Sequence, residues 1–175
     1  MATPRGVYYG IAAMTVIVAL SNFLVQFPLS DWLTWGAFTY PVSFLVTDLT
    51  NRSLGAARAR QVVYVGFASA VVVSAMLATP RIALASGTAF LVAQLLDVTI
   101  FDRLRRSVAW WAPPLISSCL ASAIDTVLFF SIAFAGTQVP WVTLGLGDYG
   151  VKLALALSML VPFRAMMQFT RPQRA

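Results

Sequence analysis

Two carboxylates stand where a carboxylate is expensive to keep. Asp97 and Asp125 each fall inside a long apolar run, residues 82–101 and 111–134, with no Lys or Arg three or four residues to either side. At the centre of a bilayer a charged side chain costs at least about 2.5–3.5 kcal/mol on insertion scales, so it faces a cavity or a partner. Gln94, three residues before Asp97, puts an amide and a carboxyl on one helical face. Ser122 and Thr126 flank Asp125 and can share its hydrogen bonding. These residue types, spaced in this way, suit recognition of a polar solute, and a ligand-facing role is expected for both aspartates.

Other polar residues in apolar surroundings admit two readings. Asp48 has Arg52 four residues later on the same face, so a local ion pair and a functional role are both open. Asp102 and Arg106 repeat that spacing at a run's end, where an ion pair is expected. By residue count Arg164 lies at the depth of Asp97, which makes an interhelical pair the alternative to a ligand there. Lys152, just inside the outer end of the last apolar run, can extend its ammonium to the interface. Asn22 and Gln26 form an i, i+4 pair near the outer end of the first run, suited to helix–helix hydrogen bonding or to a solute. Pro41, Pro113, Pro114 and Pro162 bend or break their helices, and the freed backbone groups call for protein, water or ligand. A polar cavity accommodates all of this better than a solid bundle.

Several chemistries are excluded. Histidine is absent and Cys119 is the single cysteine, so the chain forms no internal disulfide and offers no thiol or imidazole metal site; no metal and no cofactor is expected. Gly145, Gly150 and Lys152 come near a phosphate-binding loop, but the lysine is one place late. An aspartyl dyad needs two carboxylates at one depth, whereas Asp97 and Asp125 fall in different membrane thirds by residue count. The chain is therefore read as no enzyme. Twelve Lys+Arg against six Asp+Glu could suggest nucleic acid, yet the arginines cluster beside apolar runs and no basic stripe is present, so no nucleic-acid partner is expected.

The elements that must position these residues follow from composition. Of 175 residues, 59% are hydrophobic and 10% charged, and the mean hydropathy is +0.81. A soluble domain is nearer a quarter charged, and lipid is the solvent that tolerates the difference. Six runs approach the roughly 20 residues that a helix needs to cross hydrocarbon: residues 7–27, 35–54, 61–78, 82–101, 111–134 and 150–169. The first is read as a retained span rather than a signal peptide. Residues 79–81 make a tight hairpin between the third and fourth. Arg5, the cluster of Arg52, Arg58 and Arg60, the cluster of Arg103, Arg105 and Arg106, and finally Arg171 and Arg174 occupy one side. The loops of residues 28–34 and 136–149 carry Asp31 and Asp148 with no base. The positive-inside rule then places both termini in the cytoplasm. Trp32, Trp35, Trp110, Trp111 and Trp141 fall near the interfaces. The expected fold is all-α, one six-helix transmembrane domain over residues 1–175, with both termini inside. A short echo, FLVTDL at 44–49 and FLVAQL at 90–95, lies on two helices running the same way and could record a duplicated hairpin.

The chain resembles the VUT family of integral membrane proteins, the queuosine precursor transporters. The resemblance runs through residues 21–26 (SNFLVQ), 34–38 (TWGAF), 44–52 (FLVTDLTNR), 81–83 (RIA), 94–97 (QLLD), 101–105 (FDRLR) and 110–113 (WWAP). It continues in Asp125-Thr126, Phe129-Phe130, Asp148-Tyr149, Lys152 and Pro162. Ala93 stands where the family commonly has glycine, and Ser122 where asparagine is common. The resemblance implies import of 7-deazaguanine bases, preQ0 or preQ1, across a bacterial inner membrane for queuosine salvage. A guanine-like edge offers adjacent N–H donors that one carboxylate accepts in a bidentate pair. On this reading Asp97 or Asp125 takes that edge, with Gln94 and Asn22 for the carbonyl and ring nitrogens. Trp35, Phe38 and Phe129 are stacking candidates. The full candidate set is Asn22, Gln26, Trp35, Phe38, Asp48, Gln94, Asp97, Asp125 and Lys152. The partners are then the small-molecule base and the lipid bilayer, with a homodimer left open by the chain's size. The runner-up is a substrate-binding subunit of a vitamin importer energised by a separate ATPase.

Overall fold

Hydrocarbon offers backbone N–H and C=O groups no partner, so an apolar run must close its hydrogen bonds internally, and here the runs do so as helices. The computed structural model describes residues 4–24, 27–30, 33–77, 79–106 and 109–169. In chain order the elements are α1 (Pro4–Leu24), β1 (Pro28–Ser30), β2 (Leu33–Thr34), α2 (Gly36–Thr39), α3 (Val42–Leu54), α4 (Ala56–Leu77), α5 (Pro80–Leu104), α6 (Ala112–Phe134) and α7 (Trp141–Met166). Helix dominates, as expected. The exception is a two-stranded antiparallel ribbon, β1 with β2, in which Pro28 faces Thr34 and Ser30 faces Leu33. Among the described residues three helices, α5, α6 and α7, are long and apolar enough to cross a membrane. Large apolar side chains such as Val127 and Val161, 61% and 74% exposed, point outward from α6 and α7, where lipid rather than water suits them.

Two expected boundaries change. The run at 35–54 is two helices, because Pro41 has no N–H to give the carbonyl four residues earlier. The backbone at Tyr40 and Pro41 stays right-handed helical but is carried by short-range bonds, Ser43 N–H to Tyr40 O at 2.9 Å and Phe44 N–H to Pro41 O at 3.1 Å. The last helix starts at Trp141, nine residues before the expected position, so most of the expected outer loop 136–149 is its first turns. Asp148 is therefore a helix residue, one turn before Lys152.

Short joints fix which helices are neighbours. Gly55, at φ 86°, joins α3 to α4 in a conformation costly for any residue with a Cβ. Thr79 caps α5, its hydroxyl accepting from Ile82 N–H at 3.4 Å, with Pro80 at the first position. The tight hairpin expected at 79–81 is thus present, and Arg81 within it donates to Ile132 O at 2.8 Å and Ala135 O at 2.6 Å. That closes carbonyls left open at the C-terminal end of α6.

Small residues bring α1 and α4 close: a Cβ added at Gly66 would lie 2.4 Å from Met14 Cγ. Met14, Val18, Ala59, Val62, Val63, Phe90 and Val98 form the buried cluster between α1, α4 and α5. α3 runs parallel to α5. Thr47 Oγ1 donates to Gln94 Oε1 at 2.6 Å, and Asn51 Nδ2 donates to Val98 O at 2.8 Å, each across 47 residues of chain. Both helices of the FLVTDL/FLVAQL echo do run the same way.

Candidate functional site

Among the described residues, two groups of polar side chains inside the bundle flank a cavity. The upper group is centred on Lys152. Asp148 lies one turn earlier on α7, and α6 brings Asp125 and Thr126 against the same face. Lys152 Nζ sits 2.8 Å from Asp125 Oδ2 and 2.5 Å from Asp148 Oδ2, and donates to Thr126 Oγ1 at 3.1 Å. Its three N–H donors are thereby all used. Thr126 in turn donates to Asp148 Oδ2 at 2.8 Å. The second oxygen of Asp125 accepts from Tyr40 OH at 3.0 Å, and the Tyr40 ring stands 5.7 Å from the ammonium. Lys152 is 5% exposed and Asp125 4%. The expected extension of Lys152 to the interface does not occur, because two carboxylates neutralise it where it stands.

The lower group is centred on Asp48, Asp97 and Ser117. The side chain of Asp97 is fully buried and that of Asp48 nearly so. The two carboxyls are near enough for each to feel the other, and Ser117 Oγ reaches Asp48 Oδ1 at 3.5 Å. Neither Asp97 oxygen makes a hydrogen bond. Among the described residues no Lys or Arg forms an ion pair with either carboxyl. The Asp97–Arg164 pair considered from residue count is not formed, since the Arg164 guanidinium lies over the Trp110 ring, 4.8 Å from its centroid. Nor does Asp48 pair with Arg52: its side chain turns inward to Ser117 and Asp97 instead. The interfacial pair at the end of α5 joins Asp102 to Arg105, at 2.8 Å, rather than to Arg106.

Between the groups lies a cavity bounded by α3, α6 and α7. Asp48 and Lys152 both reach it, with Phe44, Ser118, Ser122 and Phe163 among the other walls. It spans about 330 Å³ including space open to the surroundings, while the fully enclosed part holds no more than about one water. This is a closed arrangement of a polar site. Asp97 is not among the residues lining the cavity; it stands behind Asp48.

The remaining candidates lie elsewhere. Gln94 is fully buried, and its amide is occupied: Nε2 donates to Ser43 Oγ at 2.8 Å, and Oε1 accepts from Thr47. It ties α3 to α5. Trp35 and Phe38 pair with each other at 6.3 Å between centroids on the exposed side of α2, away from the cavity. Phe129 packs against Phe130 and Phe134 near the far end of α6. Gln26 lies outside the described residues, as does Trp32, and Asn22 is described only by its place in α1. Sequence reasoning missed Asp148, Tyr40, Ser117 and Ser118 as site residues. The Asp148/Lys152 spacing of four was a usable signal once both residues are placed on one helix.

The model of the family described as "Putative vitamin uptake transporter" matches residues 34–79 and 73–167. The chain belongs to this family. A protein of Haemophilus influenzae named "Probable queuosine precursor transporter" is 36% identical over 186 residues, covering 83% of this chain and 79% of that protein. The Escherichia coli protein named "Queuosine precursor transporter" is 34% identical over 175 residues, covering 84% and 79%. A Bacillus subtilis protein named "Probable queuosine precursor transporter" is 29% identical over 156 residues, covering 73% and 68%. No solved structure matches the chain. The family makes this chain a transporter and not an enzyme, and its long apolar helices fit a multi-pass membrane protein.

Proposed function

We propose that the chain imports 7-deazaguanine bases, preQ0 and preQ1, across the bacterial inner membrane, through six spans with both termini in the cytoplasm. The observation that carries the reading is the cavity lined by Asp48 of α3, Lys152 of α7 and the hydroxyls of Ser118 and Ser122. A guanine-like edge presents adjacent N–H donors and a carbonyl acceptor. Asp48 accepts the donors in a bidentate pair, and the hydroxyls serve the carbonyl together with the Lys152 ammonium, which turns one N–H from Thr126 to the base. The Phe44 ring supplies a wall on which a flat base stacks. The cationic aminomethyl group of preQ1 is drawn to Asp125, which then gives up part of its hold on Lys152. Trp35 and Phe38, exposed at the outer end, form a first stacking platform on the way in.

Since the enclosed space holds about one water, a base enters only when α7 moves against α3 and α6, so passage requires alternation between outward-open and inward-open forms. The vitamin-importer subunit reading is not favoured: none of the three relatives is named as a subunit of an ATPase-driven importer.

The test is the queuosine content of tRNA in cells unable to make preQ0, fed preQ0 or preQ1 at nanomolar concentrations. Wild type restores queuosine. Asp48→Asn and Lys152→Met, at equal membrane abundance, lose uptake by about tenfold or more, the equivalent of one charge-assisted hydrogen bond. Failure of abundant, well-inserted wild type to restore queuosine rejects the substrate.

A further inference from the structure

Within the lower carboxyl pair, Asp97 has no task in holding the fold or in contacting the base. Asp97 is fully buried and both of its oxygens lack a hydrogen-bond partner. A buried carboxylate in that state is among the costliest arrangements a protein can keep. What faces it is a second carboxyl, Asp48, together with the Ser117 hydroxyl. From α3, Arg52 lies one turn beyond Asp48 and forms no ion pair with it among the described residues. From α5 itself, Asp102 is engaged by Arg105. From α6, Asp125 faces the upper group, and from α7, Lys152 is held there by Asp125 and Asp148. Among the described residues no fixed positive charge therefore forms an ion pair with Asp48 or Asp97. Two carboxyls at close range cannot both be charged without severe repulsion, and one bound proton removes it.

We infer that Asp48 and Asp97 form a proton-binding site that couples inward movement of the base to entry of one proton. The inference rests on the transport reading above. Asp48 lines the cavity and Asp97 lies behind it, so the two carboxyls divide the work. The bidentate contact with the base requires Asp48 as the anion. The proton then resides on Asp97, taken from outer water and released to the cytoplasmic side once the base has left and Asp48 no longer needs to be the charged partner. While the base holds Asp48 as the anion a charge on Asp97 has no relief, whereas in the emptied pair the Asp48 charge is free to turn to the water that replaces the base, so base and proton favour each other's binding, which is a reciprocal coupling.

The experiment uses the full-length protein in proteoliposomes with radiolabelled preQ0, which is neutral, and with the membrane potential clamped by valinomycin and equal potassium. Counterflow exchange, which needs no coupling ion gradient, reports transport alone. An inside-alkaline gradient of one pH unit is expected to raise internal preQ0 to about tenfold the external concentration for one proton per base. An internal pH dye is expected to show proton entry on preQ0 addition. Asp97→Asn is expected to retain counterflow and to bring the gradient-driven ratio to about one. Counterflow by wild type with no response to the pH gradient overturns the inference and leaves the transport reading standing. Accumulation driven by a sodium gradient at equal pH also overturns it, in favour of a metal cation. Gradient-driven accumulation retained by Asp97→Asn overturns the assignment to this pair. Absence of counterflow with wild type defeats the transport reading and the coupling with it. The wild-type arms decide the matter even if the variant fails to fold.

Discussion

Lys152 and Asp125, 27 residues apart on adjacent helices, meet at 2.8 Å with both side chains 6% exposed. Removing one member of a buried pair strands the other's charge. Lys152→Met is therefore expected to lower stability by about 3–5 kcal/mol, and Asp125→Asn by less, because Asp148 still holds the ammonium. The double variant is expected to be more stable than the sum of the two losses. Thermal unfolding in detergent measures all three, and strict additivity would refute the pairing.

Gln94 is expected to behave as a strut. Its amide joins Ser43 and Thr47 of α3 to α5, so Gln94→Ala should cost about 1–3 kcal/mol by leaving buried hydroxyls unsatisfied. The protein that does insert should keep its half-saturation concentration for preQ0 in counterflow. A large rise in that concentration at unchanged stability would make Gln94 a ligand.

The close approach of α1 and α4 is tested at Gly66. Gly66→Ala drives a methyl into Met14 and is expected to cost about 1–3 kcal/mol. Combining it with Met14→Ala, which makes room at the same spot, should cost less than the two changes added. Denaturant unfolding of the four forms decides.

Arg81 is a positive charge in a hairpin that the proposed topology assigns to the outer side, and the structure gives it a reason: it holds Ile132 O and Ala135 O at the end of α6. Arg81→Gln is expected to lower stability by about 1 kcal/mol while leaving both termini inside. A C-terminal green fluorescent protein fusion should fluoresce in wild type and variant alike. A dark wild-type fusion at full expression would overturn the orientation.

The long helices were legible because hydropathy over a span is a local property, and the 79–81 hairpin announced itself through Thr79 and Pro80. The parallel course of α3 and α5 was foreshadowed by the repeated hexapeptide. What could not be read is the pairing of distant charges. Residue count sets Arg164 at the depth of Asp97, but depth does not say that Arg164 rests on Trp110. Hydropathy alone starts α7 at residue 150, which sets Lys152 near an interface and Asp148 in a loop, because the first turns of the helix carry little apolar signal. The meeting of Asp48 with Asp97 depends on the parallel register of two helices separated by a third, which no spacing within either helix reports.

The break at Pro41 divides the second span between two mechanical bodies. Below it, Ser43, Thr47 and Asn51 rivet α3 to α5. Above it, α2 is tied to α1 through the hydroxyls of Ser21 and Thr39. Tyr40 sits at the seam with its phenol on Asp125. A small rotation there leaves the riveted half in place and slides the phenol off the carboxylate, so the joint acts as a latch whose release frees Asp125 and, through it, Lys152.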